Sequence, residues 1–172
     1  CQNEIMNIHT ALSLYEFSGR LWPFKAAIIE YITHCYMDSA SNNLFNPKIF
    51  PQNIVHLKGI FKLIAIDINI IQDAWHRVDQ DCKITMPDNT VTTFSKESRY
   101  LALHSVTKLY LTFLQNKKID LGVDMMPTFH EITVKIARLY YETENKVFKA
   151  NAMQLLSFIN NSEKYSLLLD NV

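Results

Sequence analysis

The sequence is poor in the residues that interrupt helices. Its 172 residues include three glycines and five prolines. Low glycine content together with long periodic apolar stretches favours helices over a turn-rich sheet. The three cysteines, Cys1, Cys35 and Cys82, are widely separated. Their odd number and spacing argue against a disulfide framework or a zinc motif and are typical of a reducing compartment.

The chain also lacks an excess of charge of either sign. Lysine and arginine together number 17, and so do aspartate and glutamate. Nucleic-acid-binding proteins usually carry a basic excess on one face, whereas the only adjacent lysines here are Lys117 and Lys118. We therefore predict no nucleic-acid partner, and a polyphosphate or an anionic membrane is disfavoured on the same grounds.

No long hydrophobic run is present. The longest, GIFKLIAIDINII, is interrupted by Lys62, Asp67 and Asn69, and it is shorter than the roughly 20 residues that span a bilayer. We therefore predict no direct membrane contact for this chain. With 48% apolar residues, it is long enough to bury a core of its own. Because it begins with Cys1, we expect a fragment of a longer protein or a processed chain.

Apolar residues recur every three or four positions and predict six helices. These helices cover about 4–17, 23–37, 51–75, 95–116, 129–145 and 147–168, the last one interrupted near NNSEK. Pro23 and Pro51 mark helix starts, because the missing proline N–H would be unpaired there in any case. Thr128 and Glu131 have the spacing of a capping box, which predicts the start of the fifth helix at Phe129.

We predict an all-α fold in which residues 1–172 form a single domain. Connections of short or medium length favour antiparallel neighbouring helices. Two architectures remain open, a compact bundle of about six helices and an armadillo-like α-solenoid of paired helices. The segment 79–95 has no helical period. Its MPDNT is a turn signal, and the flanking KIT and VTTF either pair as a short hairpin or form an ordered loop.

The segment THCYMD at 33–38 contains the residue types of a nucleophile and its base. On a helix, however, adjacent side chains point about 100° apart, which separates His34 from the sulfur of Cys35. Cys35 also falls on an apolar stripe with Ile28, Tyr31 and Ile32, where a free cysteine packs as a small hydrophobic residue. We therefore predict that the chain is not an enzyme. The alternative is a bundle cavity that uses Cys35 as a nucleophile.

Other candidate sites are weaker. Among the six histidines no two lie three or four residues apart, the spacing that puts two metal ligands on one helix face; they are His9, His34, His56, His76, His104 and His130. Asp67 is surrounded in the sequence by apolar residues. An exposed position is the alternative to burial, because Asp67 falls outside the stripe formed by Ile60, Ile64, Ile68 and Ile71. We therefore predict no metal ion, no cofactor and no catalytic residue.

Aromatic residues form the remaining conspicuous feature. Trp22, Trp75 and the RLYYE stretch at 138–142 are candidate partner-binding anchors. The interpretation that we favour is that they fill gaps between packed helices.

One stretch of the sequence resembles a known family. The stretch begins with His34, Cys35, Tyr36, Met37 and Asp38. A polar connector follows, and then the apolar helix from Ile54 to Ile71. This pattern resembles the helical regulatory region of inositol trisphosphate receptors. The segment 95–116 is similar to the following helix of that family only in its apolar pattern. Ser39 and the neutral, Asn-rich loop after it depart from the threonine and the acidic stretch that the family tends to have. Ryanodine receptors are related channels and are a second possibility.

The resemblance implies a tetrameric calcium-release channel of the endoplasmic reticulum, whose cytosolic arm consists of armadillo-like repeats. Neighbouring repeats of the same protein would then be the partners of this chain. The family binds its ligand in a strongly basic pocket and conducts calcium through membrane helices. Neither feature is found in this sequence, so no ligand-binding or pore residue carries over. The predicted function is a non-catalytic scaffold that relays movement towards the pore, and a free-standing protein-interaction adaptor is the alternative.

Overall fold

A computed structural model describes residues 6–19, 21–38, 43–73, 82–85, 89–94 and 96–170. Most of this part of the chain is helical, which confirms the all-α prediction. Its helices are α1 (Ile8–Phe17), α2 (Trp22–Ile32), α3 (Pro51–Asp73), α4 (Lys96–Gln115), α5 (Met126–Glu142) and α6 (Lys146–Asn160). Short 3-10 turns cover Asn43–Phe45, Val123–Met125 and Ser166–Leu169. The last of them follows the interruption that was predicted near NNSEK.

The helices form an all-α bundle of three hairpins stacked side by side. One layer contains α1, α3 and α5, and the other contains α2, α4 and α6. Within a layer, each helix packs on the helix two positions further along the chain. Across the layers, the two helices of each hairpin contact each other. Each hairpin therefore packs on the next one, which is how α-solenoids bury their apolar faces.

A two-stranded hairpin is inserted between α3 and α4. Its strands, β1 (Cys82–Thr85) and β2 (Val91–Phe94), pair in antiparallel orientation. Asn89, just before β2, has a φ of 64°, a left-handed conformation that asparagine adopts more readily than most residues. Of the two alternatives for 79–95, the hairpin is therefore the one found, while 79–81, 86–88 and 95 lie outside the described residues.

Side chains at the helix ends explain several of the boundaries. The side-chain oxygen of Asn7 accepts the N–H of Thr10 at 2.8 Å and caps α1. That of Asn145 accepts the N–H of Phe148 at 2.9 Å and caps α6. At the other end of α1, Gly19 has a φ of 52°, the left-handed conformation with which helices often stop.

The capping box predicted for the fifth helix is wrong. Thr128 lies inside the first turn of α5, which begins at Met126 and carries Pro127 at its start. The preceding 3-10 turn leads directly into the helix, and a proline without an N–H suits that first turn. Glu131 instead accepts a hydrogen bond from the side-chain nitrogen of Asn69 on α3 at 2.6 Å.

The centre of the bundle is an aromatic cluster, which we define as Phe61, Tyr110, Phe113 and Phe129. These side chains come from α3, α4 and α5 and are at most 3% exposed. Their ring centroids lie 4.8 to 5.9 Å apart, the separation at which aromatic pairs attract one another. The hydroxyl of Tyr110 is 3.2 Å from the carbonyl oxygen of Phe129 and donates to it. The cluster therefore fixes three helices relative to one another.

Candidate functional site

The segment THCYMD forms a π-turn that continues α2. The N–H of Asp38 donates to the carbonyl oxygen of Thr33, five residues earlier, at 2.9 Å. His34 is exposed, and its Nδ1 lies 3.1 Å from a carboxylate oxygen of Asp38. Cys35 is half-buried and packs against the core. The imidazole of His34 is thus engaged with Asp38, an arrangement that does not assemble a nucleophile and its base.

Two of the histidines come together although they lie far apart in the sequence. The rings of His9 on α1 and His56 on α3 contact each other in a tilted arrangement, with centroids 4.7 Å apart. Burial, followed by the charge of His9, lowers the pKa of His56. His104 contacts the side-chain amide of Asn151, and His76 lies outside the described residues. In the ranges that the structure describes, no three histidine, cysteine or acidic side chains are grouped to hold a metal ion.

A buried ion pair connects the first three helices. Lys25 Nζ on α2 lies 2.6 Å from Oδ2 of Asp67 on α3. The hydroxyl of Tyr15 on α1 donates to the same oxygen at 2.5 Å. The side chains of Lys25 and Asp67 are only 6% and 11% exposed. The Lys25 ammonium also lies 4.2 Å from the centroid of the Tyr15 ring, within the range of a cation–π interaction. We call Tyr15, Lys25 and Asp67 the Asp67 cluster.

The electrostatics of the Asp67 cluster are those of a fixed contact. Burial raises the pKa of Tyr15 well above its ordinary value, and the charge and hydrogen bond of Asp67 raise it further. Tyr15 therefore remains protonated and keeps its role as donor. A phenol and an ammonium directed at one carboxylate oxygen hold that oxygen in place. The arrangement positions three helices relative to one another.

The sequence contained a signal for this cluster. Asp67 follows Ile60 by seven residues, which is two helical turns, so both point to the same side of α3. The alternative in which Asp67 lies on the exposed face of the helix is therefore wrong, since the residue is 7% exposed. Lys25 was not identified as a candidate. It lies three residues from both Trp22 and Ile28, which are buried. This spacing puts Lys25 on the buried side of α2, so the sequence pattern alone indicates a buried lysine.

A cavity of about 140 Å³ lies beneath the turn between α4 and α5, and we call it the turn cavity. Its apolar lining consists of Phe113, Ile119, Leu121, Val123, Met126, Phe129 and Tyr165. The lining also includes two exposed residues of opposite charge, Asp120 and Lys164, which place its mouth at the surface. The aromatic side chains come from the helices and from the C-terminal segment, whereas Ile119 and Leu121 come from the turn itself.

The turn over this cavity is held by polar contacts. Lys58 Nζ on α3 lies 2.9 Å from each carboxylate oxygen of Asp124, and this hydrogen bond is the main cause that lowers the pKa of Asp124. The N–H of Gly122 donates to Oδ1 of Asp120 at 2.9 Å. Gly122 has a φ of 81°, and a Cβ at this position would meet Oδ1 of Asp124 at 2.9 Å. Glycine is therefore required for this turn geometry.

Among the helices that the structure describes, none combines the length and the apolar character needed to cross a bilayer. No protein-family model, curated protein or solved structure matches this chain. The resemblance of 31–71 to inositol trisphosphate receptors therefore stays a prediction, and the functional argument rests on the residues and their geometry.

Proposed function

We propose that this chain is a non-catalytic helical scaffold segment that transmits movement between neighbouring helical repeats. The observation that carries the proposal is the stacking of three helix hairpins in two layers, in which each hairpin packs on the next. In solenoids built in this way each repeat contacts only its neighbours, and their interfaces contribute much of the stability. On the basis of the resemblance of 31–71, we further propose that the segment belongs to the cytosolic arm of a tetrameric, inositol trisphosphate receptor-like calcium-release channel at the endoplasmic reticulum.

Continuous packing between the hairpins supports a role in transmission. The Asp67 cluster connects α1 and α2 to α3. The aromatic cluster then connects α3 to α4 and α5. Tightly packed interfaces shift between discrete arrangements rather than deforming continuously, which is the property that a relay of movement requires. The two clusters share α3, which contributes Asp67 to one and Phe61 to the other, so α3 connects the first two helices to the fourth and fifth.

The end hairpins support the proposed partners, which are neighbouring repeats of the same protein. Phe17 and Phe24, on the first hairpin, are 88% and 46% exposed, and Tyr141 and Met153, on the last hairpin, are 77% and 59% exposed. In a longer solenoid, adjacent repeats at the two ends of this segment would be the partners that cover such side chains.

The native size and location of the protein test this proposal. An antibody against this chain should detect a species far larger than the 20.0 kDa of the chain itself, and that species should sediment with reticulum membranes. Vesicles that contain it should release calcium when inositol trisphosphate is added. In the full-length protein, Asp67→Asn should leave inositol trisphosphate binding intact and reduce calcium release. A native species of about 20 kDa that remains in the supernatant would refute the channel assignment.

The exposed aromatic residues also favour a second function, a free-standing adaptor that binds another protein. Phe17 and Tyr141 are large aromatic side chains that are 88% and 77% exposed, and exposed aromatic side chains of this size can anchor a protein interface. In this case the native 20.0 kDa species should co-purify with one partner in a fixed stoichiometry. The double variant Phe17→Ser/Tyr141→Ser should lose that partner without a change in helical content, whereas a control variant at Val55, which is exposed on α3, should retain it.

A further inference from the structure

We propose that the turn cavity binds a small uncharged aromatic molecule of about the size of benzene. The volume of about 140 Å³ is close to that of engineered apolar cavities of roughly 150 Å³ that bind benzene, although this cavity has a mouth at the surface. Three of the walls are aromatic rings, those of Phe113, Phe129 and Tyr165. A ring in this space meets faces and edges with which it can pack in offset or edge-to-face geometry.

The cavity is formed before any ligand arrives. Phe113 and Phe129 belong to the aromatic cluster and are held by Phe61, whose ring centroid is 4.8 and 5.3 Å from theirs. Their rings therefore cannot rotate into the empty space without loss of core packing. A site that needs no rearrangement avoids much of the entropic cost of binding.

The turn forms the opposite wall, and polar contacts hold it. The ion pair between Lys58 and Asp124 ties it to α3, and the left-handed conformation of Gly122 sets its direction. With the backbone fixed in this way, Ile119 and Leu121, each 3% exposed, are directed into the protein. The turn therefore keeps the cavity open instead of collapsing onto the rings below it.

The charges at the mouth favour an uncharged ligand. Asp120 and Lys164 both line the cavity and carry opposite charges, so the mouth offers no net attraction to an anion or a cation. The interior is apolar, and an ionised group placed there would lose its hydration without a partner. A ligand of six or seven non-hydrogen atoms then depends on apolar burial alone. The expected dissociation constant is on the order of 0.1–1 mM.

Titration of the chain with benzene, followed by methyl NMR, tests this proposal. Benzene should cause saturable shifts of the methyl signals of Ile119, Leu121 and Met126, with direct dipolar contacts between ligand protons and these methyls. Leu121→Phe should fill the cavity and weaken binding at least tenfold. The matched control is Leu101→Phe on α4, because Leu101 is 45% exposed and does not line the cavity; it should leave binding unchanged.

Several results would overturn the proposal. These are the absence of saturation up to the solubility limit of benzene, contacts to other methyl groups, and unchanged affinity in Leu121→Phe. Benzoate and benzylammonium serve as charged probes, and tighter binding of either would refute the assignment to uncharged ligands. If Leu121→Phe does not fold, the direct contacts in the unmodified protein decide the question by themselves.

Discussion

Replacement of Lys25 by methionine should destabilise the protein by about 3–5 kcal/mol. Methionine has a similar length and preserves the packing of the side chain, but it leaves the carboxylate of Asp67 buried without a cation. Removal of one member of a buried ion pair costs this much because the remaining charge is desolvated without a partner, or must take up a proton at a cost in free energy. The side chains of Lys25 and Asp67 are 6% and 11% exposed, so solvent screens the loss very little.

Further variants divide this cost into its parts. The double variant Lys25→Met/Asp67→Leu removes both charges. The hydroxyl of Tyr15 is then buried without a hydrogen-bond partner, which costs about 1–3 kcal/mol. The triple variant, which adds Tyr15→Phe, removes every polar group of the Asp67 cluster. It should return to within about 1 kcal/mol of the parent, because a well-packed apolar replacement of a buried ion pair is often neutral or stabilising.

Urea unfolding monitored by circular dichroism measures these differences, provided that the slope of free energy against denaturant is the same in all variants. Lys58→Met is the control, since it breaks an ion pair in which the side chains of Lys58 and Asp124 are 26% and 63% exposed. Its expected cost is small, because exposed ion pairs contribute little to stability. A cost for Lys25→Met as small as that of the control, or a triple variant as unstable as the single one, would refute the reasoning.

Three further outcomes are expected. Gly59→Ala should stabilise α3 by about 0.5–1 kcal/mol in urea unfolding, because the new Cβ would lie 3.4 Å from Leu12, an ordinary contact; a loss of stability would show that α1 and α3 cannot accommodate it. The pKa of His56 is lowered by burial and by His9, so the folded state binds fewer protons than the unfolded state. Stability should therefore fall as the pH drops below about 6.5, and by less in His56→Gln, whereas equal losses in both proteins would contradict this. Cys35 is half-buried against the core, so alkylation followed by peptide mass mapping should find it slower in the folded chain than in urea, and equal rates would disprove its packing.

Helix positions were predictable because apolar periodicity reports on burial directly. The starts at 51 and 96 and the interruption after Asn160 agree with the sequence pattern to within one or two residues. Periodicity is less informative at the start of α2, where the aromatic Phe24 is 46% exposed while the charged Lys25 is buried. An aromatic residue counts as apolar in a periodicity argument whether it is buried or exposed. Periodicity alone therefore cannot distinguish an aromatic core residue from an exposed one.

Contacts between helices were the part that the sequence could not supply. Asp67 and Tyr15 are 52 residues apart in the chain and share a hydrogen bond, and His9 meets His56 only because α1 packs on α3. Such pairs depend on which helices become neighbours. The turn cavity likewise depends on the fold, because its walls come from α4, α5, the turn between them and the C-terminal segment.

The Asp67 cluster also bears on where this protein can be shortened. A chain that began at α3 would lose both α1 and α2, and with them Tyr15 and Lys25, the two donors to Asp67. Such a truncation would expose the apolar side of α3 and leave its carboxylate without partners. The smallest unit in which Asp67 keeps both of its donors therefore includes the first hairpin.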